Sequence, residues 1–317
     1  MFDTIIIGAG PAGMTAGIYA ARREMKTLII GKEVGGQVVW ASEIENYPGV
    51  KKIQSFELIQ NFKEHVESFG VEIKTDEVKE IVKKDDFFEI ITNNTKYETK
   101  TVIVAIGLSP RRLAIKGEEE FAGKGVTYCA NCDGPFYRDK EVAVVGGGNS
   151  ALDAAEMLSK IAKKVYLIHR RDEFKAFEAL VSEVKARENI ELVLNANISE
   201  IKGNTKVEKI EVTNNDGTKK EINVDGVFIE IGRIARTDLV KELAERNERD
   251  EILVDEKCRT KTKGLFAAGD VTQIPFKQIS SANGQATIAA LAAYQYLQLK
   301  AGNSADIILD RSIKKNA

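Results

Sequence analysis

Two short glycine-rich motifs, each placed directly after an apolar strand, constrain the fold of this 317-residue chain more than any other feature. The first, GAGPAG at residues 8–13, follows the continuous apolar run of residues 3–7. Gly8 permits a tight turn, Gly10 lets the backbone approach a pyrophosphate, and Gly13 lets a helix pack closely on the strand. The free N–H groups at the start of that helix would then bind phosphate. The motif therefore predicts a dinucleotide-binding unit at the N-terminus.

An acidic residue about twenty positions after such a motif is expected to accept a hydrogen bond from a ribose hydroxyl. Glu33 stands at that distance, just after a second predicted strand at residues 27–30. A glycine-rich turn without a ligand is the alternative. It does not account for the strand, the helix and the acidic residue that accompany the glycines.

The second motif, GGGNSA at residues 146–151, follows a strand at 141–145 and opens another helix. The next predicted strand, residues 164–168, ends in three basic residues, His169, Arg170 and Arg171. A 2′-phosphate needs a cation at this place, whereas a free 2′-hydroxyl prefers a carboxylate. The basic cluster therefore favours NADP over NAD. A solvated basic strand end is the alternative interpretation.

A Cys-x-x-Cys pair, Cys129 and Cys132, lies just before the first strand of the second unit. We expect it to start a short helix or a loop, and a helix N-terminus lowers a thiol pKa and favours the thiolate. Asp133 could carry the proton that disulfide reduction requires. Two buried cysteines at an accidental spacing are the alternative. Cys258 has no partner in sequence and is interpreted as structural or incidental.

Composition excludes several other classes of function. With 46 basic and 48 acidic side chains the net charge is only −2, so a generic basic surface for nucleic acid or anionic lipid is not expected. The longest apolar stretch, at residues 287–299, is too short to cross a bilayer. Three cysteines are too few for a secreted disulfide scaffold, and with two histidines they make a four-ligand zinc site improbable. A cytoplasmic protein without a metal is predicted.

A short strand near the C-terminus ends in Gly269 and Asp270. At the carboxyl end of a strand in a dinucleotide fold, Asp270 is better explained as a ligand of cofactor hydroxyls than as a surface charge. A long alanine-rich helix is predicted at residues 285–299, and its small side chains are interpreted as core packing.

The order of these motifs resembles the low-molecular-weight, bacterial-type thioredoxin reductases, which are FAD-dependent pyridine nucleotide-disulfide oxidoreductases, across essentially the whole chain. The resemblance extends to GGQ at 35–37, ENYPG at 45–49, AIG at 105–107 and HRRD at 169–172. Its most specific element is CANCDG at 129–134, inside the second nucleotide unit. Relatives with redox cysteines in the FAD domain would carry them near residue 40.

The resemblance implies an α/β fold of two Rossmann-like (three-layer ββα) nucleotide-binding domains, with the NADPH domain inserted into the FAD domain. The FAD domain would comprise residues 1–112 and 238–317, and the NADPH domain residues 113–237. It also implies a homodimer, thioredoxin as the partner, and a rotation of the NADPH domain about hinge segments near residues 112 and 238.

The family's functional residues carry over by position. Cys132 would face the flavin, Cys129 would attack the disulfide of thioredoxin, and Asp133 would act as acid and base. The residues expected to bind FAD are Gly8, Gly10, Ala12, Gly13, Glu33, Gly36, Gln37, Asn46, Val78, Gly269, Asp270, Gln278 and Ile279. Those expected to bind NADPH are Gly148, Asn149, Ser150, His169, Arg170, Arg171 and Lys175.

Some positions depart from the family's pattern. Lys175 stands where the family usually has arginine, and it loses the bidentate fork that favours NADPH. A reductase fed by ferredoxin or flavodoxin therefore stays open as an alternative, as does one whose partner is a glutaredoxin-like protein or a peroxiredoxin system. A ferredoxin–NADP reductase of similar fold would lack the cysteine pair. A non-catalytic FAD-binding protein would leave its thiols inert.

Overall fold

The computed structural model describes residues 1–40 and 43–303, without the side chains of Trp40, Glu43 and Cys132. The strands are β1 Phe2–Ala9, β2 Thr27–Val34, β3 Glu43–Ile44, β4 Ile53–Gln54, β5 Glu72–Thr75, β6 Val78–Lys83, β7 Phe88–Thr92, β8 Lys96–Val104, β9 Ser109–Pro110, β10 Val126–Thr127, β11 Glu141–Val145, β12 Lys164–His169, β13 Ile190–Leu194, β14 Ala196–Gly203, β15 Val207–Asn214, β16 Lys219–Asn223, β17 Gly226–Ile229, β18 Arg233–Ile234 and β19 Leu265–Ala267. The helices are α1 Pro11–Ala21, α2 Ser55–Ser68, α3 Ala130–Asp133, α4 Asn149–Ser159, α5 Glu178–Lys185 and α6 Ile279–Lys300. Short 3-10 helices lie at Gly36–Trp40, Gly134–Tyr137 and Asp238–Val240.

The chain divides into two compact units, and the second is inserted in the sequence of the first. Unit 1 contains Met1–Val39, Glu43–Leu108 and the chain from Ala235 onward, and unit 2 contains Ser109–Ile234. The boundaries lie four and three residues before those placed at 112/113 and 237/238.

Unit 1 is built on a sheet in the order β5-β2-β1-β8-β7-β6, with β19 also paired to β8. Strands β5, β2, β1, β8 and β19 are mutually parallel, and β7 pairs with β8 in the antiparallel sense. The central strands are buried on both faces, as expected for the parallel part of a sheet.

Helices α1 and α6 pack on one face of this sheet, where small residues let them approach closely. A Cβ added to Gly17 of α1 would lie 2.7 Å from Ile29 Cδ1 in β2. The buried face of α6 consists largely of alanine, including Ala286, Ala289 and Ala293. Helix α6 begins at Ile279, six residues before the helix predicted from residue 285. The earlier start places the predicted cofactor residue Ile279 at the helix N-terminus.

Unit 2 is built on a parallel sheet in the order β10-β17-β11-β12-β13, with an antiparallel sheet of β14, β15 and β16. The central strand β11 is buried along Val142–Val145, and α4 packs against it through Ala151, Leu152 and Ala155. The predicted α/β class is confirmed.

The ends of unit 2 run beside each other where the chain enters and leaves it. Strands β9 and β18 form an antiparallel ribbon, with Ser109 opposite Ile234 and Pro110 opposite Arg233. The Arg111 N–H donates to the Gly232 carbonyl at 2.9 Å, which extends the pairing. Both connections are therefore held together within unit 2.

Candidate active site: two glycine loops and a redox segment

The first glycine loop, residues 8–13, turns from β1 into α1 as the sequence predicts. Gly8 has a φ of +113°, and a Cβ there would lie 2.2 Å from the Ala105 carbonyl oxygen. A Cβ on Gly13 would lie 1.8 Å from the Gly8 carbonyl oxygen. These two positions accept only glycine because the turn and the helix fill the space beside them.

Gly10 differs, because this chain does not fill the space beside it. A Cβ there would come no nearer than 3.8 Å to the Gly35 carbonyl oxygen. Gly10 is also the N-cap of α1, and no side chain caps the helix. The first N–H groups of the helix are therefore available to an anion, and the backbone at Gly10 is accessible to it. The loop fits a dinucleotide pyrophosphate.

Hydrogen bonds bring together predicted FAD residues that lie more than 200 positions apart. Gln37 Nε2 donates to Asp270 Oδ2 at 3.0 Å. Asn46 Nδ2 donates to Gln278 Oε1 at 3.1 Å. Gln278 precedes Ile279 as the N-cap of α6, which likewise has no side-chain cap. These residues and the first glycine loop lie in unit 1.

Two further predicted residues of unit 1 lie on strands. Glu33 is exposed near the carboxyl end of β2, the strand paired with β1, so it stands beside the strand that carries the first glycine loop. Val78 begins β6 and packs against a buried cluster that includes Ile7 of β1.

Sequence reasoning missed the residues that fix the Asp270 turn. Gln285 Oε1 accepts the Gly269 N–H at 2.9 Å and the Thr272 hydroxyl at 2.8 Å. Lys277 Nζ donates to the Asp270 and Thr272 carbonyl oxygens at 3.0 and 2.6 Å. No local motif marks Gln285, because its contacts depend on α6 beginning at Ile279.

The second glycine loop, residues 146–151, repeats this arrangement between β11 and α4. Gly146 has a φ of +150°, and a Cβ there would meet the Glu230 carbonyl oxygen at 2.3 Å. A Cβ on Gly148 would come no nearer than 3.8 Å to the Lys175 carbonyl oxygen. Gly148 is the N-cap of α4, again without a side-chain cap. This loop also fits a pyrophosphate.

The predicted nicotinamide-nucleotide residues lie around this loop. Lys175 N–H donates to the Gly147 carbonyl at 2.7 Å, and Asn149 Oδ1 accepts the Phe177 N–H at 2.8 Å. Ser150 is exposed in the first turn of α4. These contacts hold the segment after β12 against the glycine loop.

The basic cluster, residues 169–171, lies at the end of β12. His169 ends β12, and its ring takes the place that a Cβ on Gly147 would occupy, which explains the middle glycine. His169 Nε2 donates to the Glu173 carbonyl at 3.1 Å, and burial lowers the pKa of its imidazole below the ordinary value. Arg170 and Arg171 are exposed beyond the strand. Within the His169–Arg171 cluster, the positive charge at neutral pH therefore comes from the two arginines.

The redox segment, residues 129–133, comprises Cys129 and helix α3. Cys129 is buried and disulfide-bonded, and the side chain of Cys132 lies outside the described residues. The Thr127 hydroxyl accepts the Cys129 N–H at 3.2 Å and donates to Asp133 Oδ2. Thr127, which sequence reasoning missed, therefore orients the predicted proton carrier beside the cysteine.

Glu230 is a second group that the motifs do not indicate. It follows β17, and the main chain of Ala130, inside the redox segment, has a small lowering effect on the pKa of its carboxyl group. Burial raises the pKa of Glu230 to about 7, although the positive charge of Arg233 opposes the shift.

Cys258 belongs to unit 1. It is a free cysteine, 2% exposed, and its Sγ donates to the Gln285 carbonyl at 3.4 Å. Burial raises the pKa of its thiol to about 11, so it is an inert structural thiol at neutral pH.

The described residues form neither a metal-binding cluster nor a membrane-spanning helix. No group of three or more His, Cys, Asp or Glu side chains could hold a metal ion within residues 1–40 and 43–303. No helix in the same part of the chain has the length and apolar character needed to span a bilayer.

Comparisons with known proteins find a matching family and similar proteins. The sequence profile of the pyridine nucleotide-disulphide oxidoreductases matches residues 2–288. A thioredoxin reductase of Treponema pallidum (strain Nichols) is 39% identical over 299 residues, which are 93% of this chain and 97% of that protein.

Two solved structures are also similar to this chain. A Lactococcus lactis thioredoxin reductase in its FR conformation is 39% identical with a TM-score of 0.84, covering 94% of this chain and 99% of that one. A T. acidophilum thioredoxin reductase is 40% identical with a TM-score of 0.80, and the match covers 92% of this chain and 97% of that one.

Proposed function

This chain belongs to the pyridine nucleotide-disulphide oxidoreductase family, and on that premise we propose that it is an NADPH-dependent thioredoxin-disulfide reductase. The family implies a flavin and a nicotinamide nucleotide. The observation that carries the proposal is the disulfide-bonded Cys129 in the same unit as the second glycine loop. Relatives named thioredoxin reductase, similar over nearly their whole length, support thioredoxin as the substrate.

FAD is the group we assign to unit 1. The first glycine loop and the start of α1 would hold its pyrophosphate. Glu33 would accept a hydrogen bond from the ribose, and the Gln37–Asp270 and Asn46–Gln278 pairs would hold the rest of the cofactor. When bound, FAD supplies the transfer of two electrons from the nicotinamide to the protein disulfide.

NADPH is the co-substrate we assign to unit 2. Gly148, Asn149 and Ser150 would bind its pyrophosphate at the start of α4. Arg170 and Arg171 would bind the 2′-phosphate, because two exposed guanidinium groups can pair with its oxygens. Lys175, whose main chain is bonded to the glycine loop, would add a third charge.

The cysteine pair carries the electrons to the substrate. Reduction of the Cys129–Cys132 disulfide consumes two electrons and two protons, and Asp133, oriented by Thr127, passes a proton. The Cys129 thiolate then attacks the disulfide of thioredoxin and forms a mixed disulfide. Attack by Cys132 on that bond releases the thioredoxin dithiol and restores the starting disulfide.

We also propose that the protein is a cytoplasmic homodimer. Unit 2 would rotate about the two segments that connect it to unit 1, residues 108–112 and 232–238.

An anaerobic titration tests the nucleotide assignment first. The purified protein is titrated with NADPH and separately with NADH while the flavin absorbance is followed. Rapid bleaching by NADPH and much slower bleaching by NADH is the expected result. Bleaching by neither nucleotide would overturn NADPH as the donor and direct attention to ferredoxin or flavodoxin.

A second experiment tests the disulfide step. The Cys129→Ser and Cys132→Ser variants should still be bleached by NADPH but should lose NADPH-dependent reduction of thioredoxin. Cys258→Ser is the matched control, because this thiol is buried in unit 1 against the Gln285 carbonyl and its loss should leave turnover unchanged. Normal turnover by either redox variant would contradict the mechanism.

A further inference from the structure

The β12–α5 connection, residues 170–177, carries both arginines of the proposed 2′-phosphate site and runs back along the second glycine loop. Its first part is tied to the end of β13, because the Arg171 carbonyl accepts the Asn195 N–H at 3.2 Å. Further on, the Lys175 N–H donates to the Gly147 carbonyl at 2.7 Å. The main chain of the connection is therefore laid against the loop that would bind the pyrophosphate.

A side chain of the glycine motif itself holds the far end of this connection. Asn149 is the first residue of α4, and its Oδ1 accepts the Phe177 N–H at 2.8 Å. Phe177 is the N-cap of α5 and supplies no side-chain cap, and its carbonyl accepts the Val181 N–H at 3.0 Å. Asn149 thus satisfies an N–H group at the start of a different helix. One side chain joins the start of α4 to the start of α5.

Both helix starts lie at the edge of the sheet where the arginines stand. Strands β11, β12 and β13 are parallel neighbours, so their carboxyl ends meet at one edge, and α4 and the connection follow the first two of them. Arg170 and Arg171 are exposed, so their places depend on how the main chain of the connection is held. A loose connection would have to be ordered when a nucleotide binds, and the backbone entropy lost at that moment weakens binding.

We propose that Asn149 is a positioning residue for the nucleotide: its side-chain oxygen holds the Phe177 N–H, and this bond keeps the β12–α5 connection, with Arg170 and Arg171, in place for a 2′-phosphate. The inference rests on the proposed function, in which the two arginines bind that phosphate. It gives the side chain of Asn149 a role separate from that of its main chain at the start of α4.

Substitutions at both ends of the hydrogen bond test this role. Asn149→Ala removes the acceptor. Phe177→Pro removes the donor, and the φ of −60° at Phe177 is close to the value that a proline ring imposes. Phe177→Ala is the matched control, because it removes the same aromatic ring but keeps the N–H.

Binding of 2′,5′-ADP to the oxidised, flavin-loaded protein is measured by isothermal titration calorimetry. This nucleotide carries the 2′-phosphate but no nicotinamide, so no electron transfer follows. Its Kd should rise about fivefold in Asn149→Ala and in Phe177→Pro, and should change less than about twofold in Phe177→Ala. The double variant Asn149→Ala/Phe177→Pro should bind no more weakly than either single variant, because both remove the same bond.

Two results would overturn the inference. Weaker binding in Asn149→Ala that Phe177→Pro does not reproduce would mean that the Asn149 side chain contacts the nucleotide directly. Equal weakening by Phe177→Ala and Phe177→Pro would mean that the ring matters and the N–H does not. A wild-type protein that does not bind 2′,5′-ADP would instead contradict the proposed function, and the inference with it.

Hydrogen exchange gives a readout without any nucleotide. In a peptide that contains residues 174–180, exchange at Phe177 should be about fivefold faster in Asn149→Ala than in the wild-type protein. Exchange in β13, residues 190–194, should be the same in both and serves as the control for the folding of unit 2. Unchanged exchange at Phe177 would show that the Asn149 side chain does not hold the connection.

Discussion

The two glycine loops have the same backbone design and are followed by opposite charges. In each, the first glycine has a positive φ, the glycine two residues later (Gly10 or Gly148) faces space that the chain leaves open, and the following helix starts without a side-chain cap. The strand after the first loop carries Glu33 near its end, and the strand after the second leads into Arg170 and Arg171. In the function we propose, the backbone of each loop would bind a pyrophosphate, and the charged side chains at the strand end would select the ribose.

A second difference lies in the last residue of the six-residue motif, which is Gly13 in the first loop and Ala151 in the second. A Cβ on Gly13 would lie 1.8 Å from the Gly8 carbonyl oxygen. At the matching position of the second loop, the methyl group of Ala151 is accommodated and buried beside Gly146. The two loops therefore differ in whether this position can hold a methyl group.

The largest effect should come from Gly13→Ala. The new methyl group meets backbone that cannot move aside, so we expect a loss of about 3 kcal/mol or more in the free energy of unfolding, measured by urea denaturation. Gly10→Ala is the matched control, because the nearest atom to its Cβ is 3.8 Å away. It should fold as the wild type does and lose bound flavin. A wild-type urea midpoint for Gly13→Ala would refute the packing argument.

Arg170→Ala and Arg171→Ala should give the next largest effect, on nucleotide selection. Each removes a charge-assisted contact worth about 1.5–3 kcal/mol, so the KM for NADPH should rise roughly 10- to 100-fold per substitution. The KM for NADH, which has no 2′-phosphate, should change less than about threefold. Steady-state kinetics with both nucleotides measures the difference. Equal effects on both would remove the 2′-phosphate assignment.

The sequence was sufficient to predict the local parts of this site. Each glycine loop is contiguous, and its constraint is steric, so Gly8, Gly10 and Gly148 could be assigned roles before any fold was known. The strand-end charges follow from spacing in the same way. This is why the α/β class and both nucleotide loops could be predicted.

The residues that were missed act over long sequence distances. Gln285 fixes the Gly269 turn only because α6 begins before it, and Thr127 reaches Asp133 only because a helix turn brings the carboxylate back. Glu230 lies 100 positions after Ala130, and its pKa depends on burial that no motif encodes. Such contacts depend on strand order and packing, which a single sequence does not specify.

Glu33→Gln should have a smaller effect, confined to the first loop. The amide of glutamine keeps the shape of the glutamate side chain but loses its negative charge. Because that charge strengthens a hydrogen bond to a ribose hydroxyl, the Kd for FAD should rise about three- to tenfold. The affinity is measured by reconstituting flavin-depleted protein. Glu24→Gln, at an exposed position after α1, is a control that should leave the Kd unchanged. An unchanged Kd in Glu33→Gln would mean that the first loop does not use this carboxylate.

The smallest effect should come from His169→Asn, because His169 contributes shape and little charge. Its ring stacks on Phe174 at 5.5 Å, and burial lowers its pKa below the ordinary value, so it is neutral at pH 7.5. The KM for NADPH should therefore change less than about threefold at pH 7.5. The ratio of variant to wild-type KM should stay below about three from pH 8 to pH 6.5, because the lowered pKa keeps His169 mostly neutral in that interval. A ratio that rises as the pH falls toward 6.5 would mean that His169 carries a positive charge and belongs with Arg170 and Arg171 in binding the 2′-phosphate.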